Sequence, residues 1–136
     1  MILTDAGPLV ALLDRRDVNY PRCVSVLANR VGPMTTTWPA FTEAIYLLGR
    51  AAGWPGQDAL WRLIERKALT LAPFDAELTT RTAELMREYK DHPMDLADAT
   101  LVAIAEAEHH DKIFTLDSHF RTYRLLDRRH LKLVPD

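Results

Sequence analysis

The chain has 136 residues, of which 48% are hydrophobic and 26% are charged, and this composition excludes an intrinsically disordered protein. A formal net charge of −2 excludes a polybasic protein that binds nucleic acid through its overall charge, although a local basic segment is compatible with it. With Cys23 as its one cysteine, the chain can form neither an intrachain disulfide nor a cysteine-rich zinc site. No apolar stretch approaches the ~20 residues of a membrane-spanning helix. We therefore expect a single domain, residues 1–136, in the cytoplasm.

Short apolar segments with the composition of strands alternate along the chain with longer segments of helical periodicity. The predicted strands are Ile2–Thr4, Met34–Thr37, Leu69–Phe74 (an edge strand or an extended connector), Lys112–Leu116 and Leu131–Pro135. This alternation predicts an α/β fold, a three-layer α/β/α sandwich around a mainly parallel sheet of four to five strands.

Helix ends are marked by residues with known positional preferences. Asp75 is predicted to cap the helix that follows it, and the His92-Pro93 pair to end that helix. Gly53 is predicted to stop the helix that begins at Trp38, so that a separate helix follows. The segment from Leu96 to Ala105 is apolar on nearly every face, which predicts a helix buried in the middle of the domain.

Acidic side chains fall where predicted strands end and where predicted helices begin. Asp5 follows the first strand, Asp117 follows the fourth, and Glu43 lies about one turn into the helix after the second. Asp95 and Asp98 open the buried helix with a spacing that puts both on one face. Ligands of open parallel sheets bind at the carboxyl ends of the strands. We therefore expect these acids to converge at that edge.

Each of these acids also has a purely structural explanation. Asp95 and Asp98 fit a helix cap and its partner three residues on, and Asp5 and Asp117 fit turn positions. Four carboxylates at one edge would, however, raise each other's pKa, and a divalent cation makes such a cluster tolerable at neutral pH. Carboxylate oxygens favour Mg²⁺ or Mn²⁺ over Zn²⁺ or copper, with one ion or two both compatible. The chemistry this predicts is metal-assisted hydrolysis of a phosphodiester.

The order and spacing of these residues resemble the PIN-domain ribonucleases, in particular the VapC-like toxins of bacterial toxin–antitoxin pairs. The resemblance rests on Ile2-Leu3-Thr4-Asp5, on Phe41-Thr42-Glu43-Ala44, on the segment Met94–Ala103, and on Phe114-Thr115-Leu116-Asp117-Ser118-His119-Phe120. It implies an endoribonuclease that depends on Mg²⁺ or Mn²⁺, acts on RNA phosphodiesters and is blocked by a cognate antitoxin. We also expect a homodimer and no association with a membrane.

By motif position, the resemblance implies which residues carry the chemistry. The acids that it makes both catalytic and metal-binding are Asp5, Glu43, Asp98 and Asp117. Asp95 is a further candidate ligand that would equally serve as a helix cap. Thr115 matches a small polar residue that would orient a ligand or a metal-bound water. The RNA that is cleaved cannot be inferred from the resemblance.

A basic segment follows the last of these acids. Between His119 and Lys132, basic side chains outnumber acidic ones, which suits the phosphates of an RNA strand and equally suits an ordinary solvated surface. The candidate RNA-binding residues are Arg121, Arg124, Arg128 and Arg129.

Other functions remain as alternatives at the level of sequence. A non-catalytic module of the same fold would use the acidic pocket for structure or regulation. A phosphatase or phosphotransfer domain would phosphorylate Asp5, but such enzymes carry a second aspartate where Gly7 stands here. Histidine catalysis is disfavoured, because the five histidines have no recognisable ligand spacing.

Overall fold

The computed structural model of the protein describes residues 1–30 and 32–136. Short strands alternate with helices along the described chain. The strands are β1 (Ile2–Thr4), β2 (Met34–Thr36), β3 (Leu69–Leu71), β4 (Lys112–Phe114) and β5 (Lys132–Val134). The α-helices are α1 (Ala6–Leu13), α2 (Tyr20–Ala28), α3 (Trp38–Glu65), α4 (Ala76–Glu88) and α5 (Leu96–Ala107), and a 3-10 helix covers Ser118–Arg121.

The sheet has five strands in the order β3-β2-β1-β4-β5, and each neighbouring pair is parallel. The α/β prediction is confirmed, at the upper end of its strand count. Because β2 and β3 lie on one side of β1 while β4 and β5 lie on the other, the chain changes direction between β1 and β4. In open α/β sheets this change of direction opens a crevice at the carboxyl ends of the two strands.

Helices cover both faces of the sheet. Ile2 and Phe114 contribute to a core with α1, α2 and α3, whereas Leu3 and Ile113 contribute to a core with α4 and α5. Neighbouring residues along a strand therefore feed opposite layers, as the two-residue repeat of a strand requires. The central strand β1 is buried along its whole length, and its apolar residues Ile2 and Leu3 are followed by the acid Asp5.

Helix α3 consists of two helical segments that meet at Gly53. Gly53 breaks the helical backbone, with φ 66° and ψ −160°, values that favour glycine, so the predicted stop and the separate helix after it are confirmed. The second segment begins directly after the break, because Pro55 lies in its first turn, where the missing N–H costs nothing. None of the helices in the described chain is both long and apolar enough to cross a bilayer.

Candidate active site

The predicted acids come together at the carboxyl edge of the sheet, around the crevice between β1 and β4. Asp5 directly follows β1, and Asp117 lies three residues beyond β4. Asp95 and Asp98 open α5, and Glu43 lies in the second turn of α3. A 2.7 Å hydrogen bond between the hydroxyl groups of Thr37 and Thr100 joins the beginnings of these two helices.

Asp5 is nearly buried, at 7% exposure, and both of its carboxylate oxygens accept hydrogen bonds. Its Oδ1 accepts from the backbone N–H of Ala6 at 2.8 Å and caps α1, while its Oδ2 accepts from the Thr115 hydroxyl at 2.8 Å. The Thr115 hydroxyl in turn accepts from the backbone N–H of Asp117 at 3.0 Å. Thr115 thus links the carboxylate of the acid after β1 to the backbone of the acid after β4.

Asp98 is 6% exposed and is held by a residue that sequence reasoning missed. The hydroxyl of Tyr123 donates to Asp98 Oδ2 at 2.9 Å, from a side chain that is itself fully buried. The backbone N–H of Asp98 donates to Asp95 Oδ1 at 2.9 Å, so Asp95 does cap α5. No sequence signal identifies Tyr123, because its contact depends on a loop that folds back from the 3-10 helix.

The other two acids are more accessible. Glu43 is exposed on α3. The side chain of Asp117 is 40% exposed, and its Oδ1 accepts from the backbone N–H of His119 at 2.9 Å and lies 3.0 Å from His119 Nδ1. The site therefore combines two fixed, buried carboxylates with two carboxylates that face solvent.

Burial and mutual repulsion raise the pKa values of Asp5, Glu43 and Asp98. Burial is the main cause that raises the pKa of Asp98 to about 7, and the negative charge of Asp95 adds to it, while the Tyr123 hydrogen bond opposes it. Burial also raises the pKa of Asp5, against the hydrogen bonds from Thr115 and Ala6. The pKa of Glu43 is raised by burial and then by the charge of Asp5. In the described chain, none of these three acids has a cationic partner within 4.0 Å.

The donor chemistry of this edge fits a hard divalent cation. Carboxylate and hydroxyl oxygens are the ligands that Mg²⁺ and Mn²⁺ prefer, and repulsion between the acids would be relieved by a cation among them. The ligand geometry itself is not preformed: across residues 1–30 and 32–136, no three His, Cys, Asp or Glu side chains gather around one point as a ready metal site. Glu43 is exposed, whereas Asp117 is held through its Oδ1 by the backbone N–H of His119.

Three of the four candidate RNA-binding arginines are already engaged within the chain. Arg124 donates to the backbone carbonyls of the three residues before it, at 2.9 to 3.1 Å. Arg128 pairs with a glutamate of α4 at 3.4 Å, and Arg129 pairs with Asp127 at 2.6 Å. Arg121 instead lines a cleft that also contains Thr115 and Asp117.

The overall fold is similar to solved toxins of toxin–antitoxin systems. VapC20 from Mycobacterium tuberculosis, a toxin that cleaves the sarcin–ricin loop, has a TM-score of 0.80 and 18% identity over 87% of this chain and 91% of its own. VapBC2 from Rickettsia felis, solved with a promoter DNA fragment, has a TM-score of 0.66 and 18% identity over 98% and 97%. A toxin–antitoxin complex from Klebsiella pneumoniae has a TM-score of 0.64 and 17% identity over 87% and 88%.

At these identities the likeness shows a shared fold. No curated protein matches the chain in sequence. The family model of the PIN domain, however, matches residues 2–125. This match spans the whole crevice, from Asp5 to Tyr123. The chain therefore belongs to the PIN-domain family.

Proposed function

We propose that this protein is a Mg²⁺- or Mn²⁺-dependent endoribonuclease and the toxin of a toxin–antitoxin pair. The observation that carries the proposal is the pair of nearly buried carboxylates, Asp5 and Asp98, each held by a hydroxyl group instead of a cation, beside three further acids. Such a group of acids is costly without a positive charge among them. Membership of the PIN-domain family and the similarity to VapC20 support the choice of RNA as substrate.

The acids would bind the ions in two different ways. Asp5 and Asp98 provide fixed oxygens, because Thr115 and Tyr123 hold their orientation. Glu43 and Asp117 complete the set from the solvent side, and Asp95, which caps α5, contributes negative charge next to Asp98. When bound, Mg²⁺ or Mn²⁺ supplies activation of a water and neutralisation of the charge that grows on the scissile phosphate.

The partners follow from the same proposal. Two of the similar structures are assemblies of toxin and antitoxin. We propose a cognate antitoxin that covers the acidic edge of this chain, by which we mean the carboxyl edge of the sheet with Asp5, Glu43, Asp95, Asp98 and Asp117. We further propose a homodimer, a cytoplasmic location and RNA as the macromolecular substrate.

Cleavage of total cellular RNA in the presence of Mn²⁺ tests the function. Asp5→Asn and Asp98→Asn should each lower the rate of cleavage by about 1000-fold, because each removes a fixed charged ligand while keeping the shape of the side chain. Asp58→Asn is the matched control, since Asp58 pairs with Arg62 on the surface of α3, and it should cleave at the rate of the unmodified protein. Full activity in both site variants would refute the proposal.

Metal binding and growth separate this function from a non-catalytic module. Calorimetry should show that the unmodified protein binds Mn²⁺ and that Asp98→Asn binds it at least tenfold more weakly. Expression of the unmodified protein should arrest growth, expression of Asp98→Asn should not, and co-expression of the antitoxin should restore growth. A folded protein that binds no Mn²⁺ and leaves growth unchanged would instead be a regulatory member of the family.

A further inference from the structure

We infer that Arg22 of α2 and Arg121 of the 3-10 helix form a phosphate-binding cleft that holds the RNA strand on the β5 side of the acidic edge. The inference rests on the proposed function and names the residues that bind its substrate next to the scissile bond. Arg22 is absent from the candidates that the sequence offers, since it lies about a hundred residues before the basic segment.

The cleft adjoins the acidic edge directly. It has a volume of about 170 Å³, and its walls include Thr115 and Asp117 together with Arg22 and Arg121. Arg22 also lines a larger cleft of about 470 Å³ that continues along α2 as far as Arg30. The two clefts share Arg22 and the two residues that follow β5, Pro135 and Asp136, so they form one path that leads away from the acids.

Both guanidinium groups are available to a ligand. Among the described residues, no carboxylate lies within 4.0 Å of either guanidinium, and both side chains are exposed. Within the described part of the chain, the Arg22 guanidinium makes one hydrogen bond, a long one of 3.4 Å to Asn19 Oδ1. This availability contrasts with Arg128 and Arg129, which are paired with acids.

The chemistry of the cleft selects the sugar–phosphate backbone. An RNA strand that enters an edge rich in carboxylates carries further phosphates beside the one that is cut, and these need positive partners of their own. Arginine offers several N–H donors in a planar fork that matches phosphate oxygens. None of the described residues that line the 170 Å³ cleft is aromatic, so the cleft does not offer a surface on which bases stack. We therefore expect contacts that hold the strand without reading its sequence.

RNA binding tests the inference separately from cleavage. The probe is a fluorescein-labelled 12-nucleotide poly(U) RNA, and binding to Asp98→Asn, which does not cut it, is followed by anisotropy. In that background, Arg22→Ala and Arg121→Ala should each weaken binding about fivefold at low salt. The double substitution should lower the slope of log K against log salt by about 1.4, because each lost phosphate contact contributes about 0.7 for a single strand. In the otherwise unmodified enzyme, the same substitutions should raise KM and leave kcat unchanged.

Two further variants distinguish phosphate binding from a structural role. Arg66→Ala removes an equally exposed arginine that follows α3 and lies outside both clefts, and it should leave affinity and salt slope unchanged. Asp136→Asn removes a negative charge from the wall of the cleft, and it should tighten binding about twofold. If the arginines had only a structural role, Asp136→Asn would not tighten RNA binding.

The outcomes separate the two proposals. If the unmodified protein cleaves RNA while Arg22→Ala and Arg121→Ala bind and cleave like Arg66→Ala, the cleft is refuted and the proposed function stands. If the unmodified protein cleaves no RNA, the proposed function fails. In that case, poly(U) binding that still depends on Arg22 and Arg121 would support the cleft as an RNA-binding site alone, and binding that ignores both would refute it as well.

Discussion

Two buried regions of this molecule hold carboxylates in opposite ways. Between α4 and α5, the Glu106 side chain is 3% exposed, and the Arg81 guanidinium donates to both of its oxygens, at 2.8 and 3.1 Å. At the carboxyl edge of the sheet, Asp5 and Asp98 are also buried, yet their side-chain partners are the hydroxyl groups of Thr115 and Tyr123.

The difference shows how burial alone fails to distinguish a structural acid from a functional one. Glu106 has its cation within the chain, so its charge is balanced by the fold itself. Asp5 and Asp98 are surrounded by further acids, so their balancing charge has to come from outside. A missing partner for a buried charge is therefore the feature that marks the functional region.

Removal of Arg81, whose guanidinium balances the charge of Glu106, should have the largest effect on stability. Arg81→Ala leaves Glu106 buried without a partner, and we expect the free energy of unfolding to fall by about 3 kcal/mol. Urea denaturation measures this change. Metal-dependent cleavage should persist at temperatures where the variant is folded, because Arg81 lies outside the acidic edge.

The matched control is Arg62→Ala, which breaks a solvent-exposed pair with Asp58. It should cost less than about 0.5 kcal/mol, as exposed ion pairs usually do. Equal losses in the two variants would mean that Glu106 reaches water in the absence of Arg81, and the contrast between the two regions would disappear.

Removal of a charge from the acidic edge should stabilise the protein, which is the opposite of the effect of Arg81→Ala. The pKa of folded Asp98, about 7, lies above its ordinary value near 3.8, so the folded protein binds this proton more tightly than the unfolded chain does. Stability should therefore fall as pH rises from about 4 to 7 in the absence of metal. Asp98→Asn removes this penalty and should raise the free energy of unfolding at pH 8 by about 2 kcal/mol, after the cost of burying the amide.

Urea denaturation at pH 4 and at pH 8, both without divalent cations, measures this effect. At pH 4 the variant and the unmodified protein should have nearly the same stability, since Asp98 is protonated in the folded state. A variant that is destabilised at pH 8 would show that the Asp98 charge is already balanced within the fold.

Removal of the Tyr123 hydroxyl, which holds Asp98, should have the smallest effect on stability. Tyr123→Phe removes the donor to Asp98 Oδ2, and we expect a loss of about 1 kcal/mol in the free energy of unfolding. Tyr46→Phe is the control, because Tyr46 is exposed and its hydroxyl accepts a 3.1 Å hydrogen bond from the exposed Arg50. Cleavage by Tyr123→Phe should also fall, and an unchanged rate would show that Asp98 needs no positioning.

The sequence predicts the fold and the acidic edge well for a specific physical reason. Strands buried on both faces are short and apolar, so each strand end stands out as the point where polar residues resume. Asp5 and Asp117 could be placed at one edge because the carboxyl ends of parallel strands share it. The helix starts at Asp75 and Asp95 were also predictable, since both caps act within three residues of their own position.

What the sequence could not predict depends on contacts between distant segments. Tyr123 reaches Asp98 only because the loop after the 3-10 helix turns back onto α5. Arg22 faces Arg121 only because the start of α2 lies beside the end of β5. The break of α3 at Gly53 was predictable, but the start of the second segment directly after it was not, because no apolar periodicity marks its first turn.

The central place of β1 in the sheet has a consequence for synthesis on the ribosome. Asp5 and its partner Thr115 are 110 positions apart, and β1 gains its neighbour β4 only when that later segment has emerged. Pairing across so long a stretch of chain is slow to form and late in translation. The hydrogen bond between Thr115 and Asp5 could thus not form in a nascent polypeptide before β4 and the residue after it have left the exit tunnel.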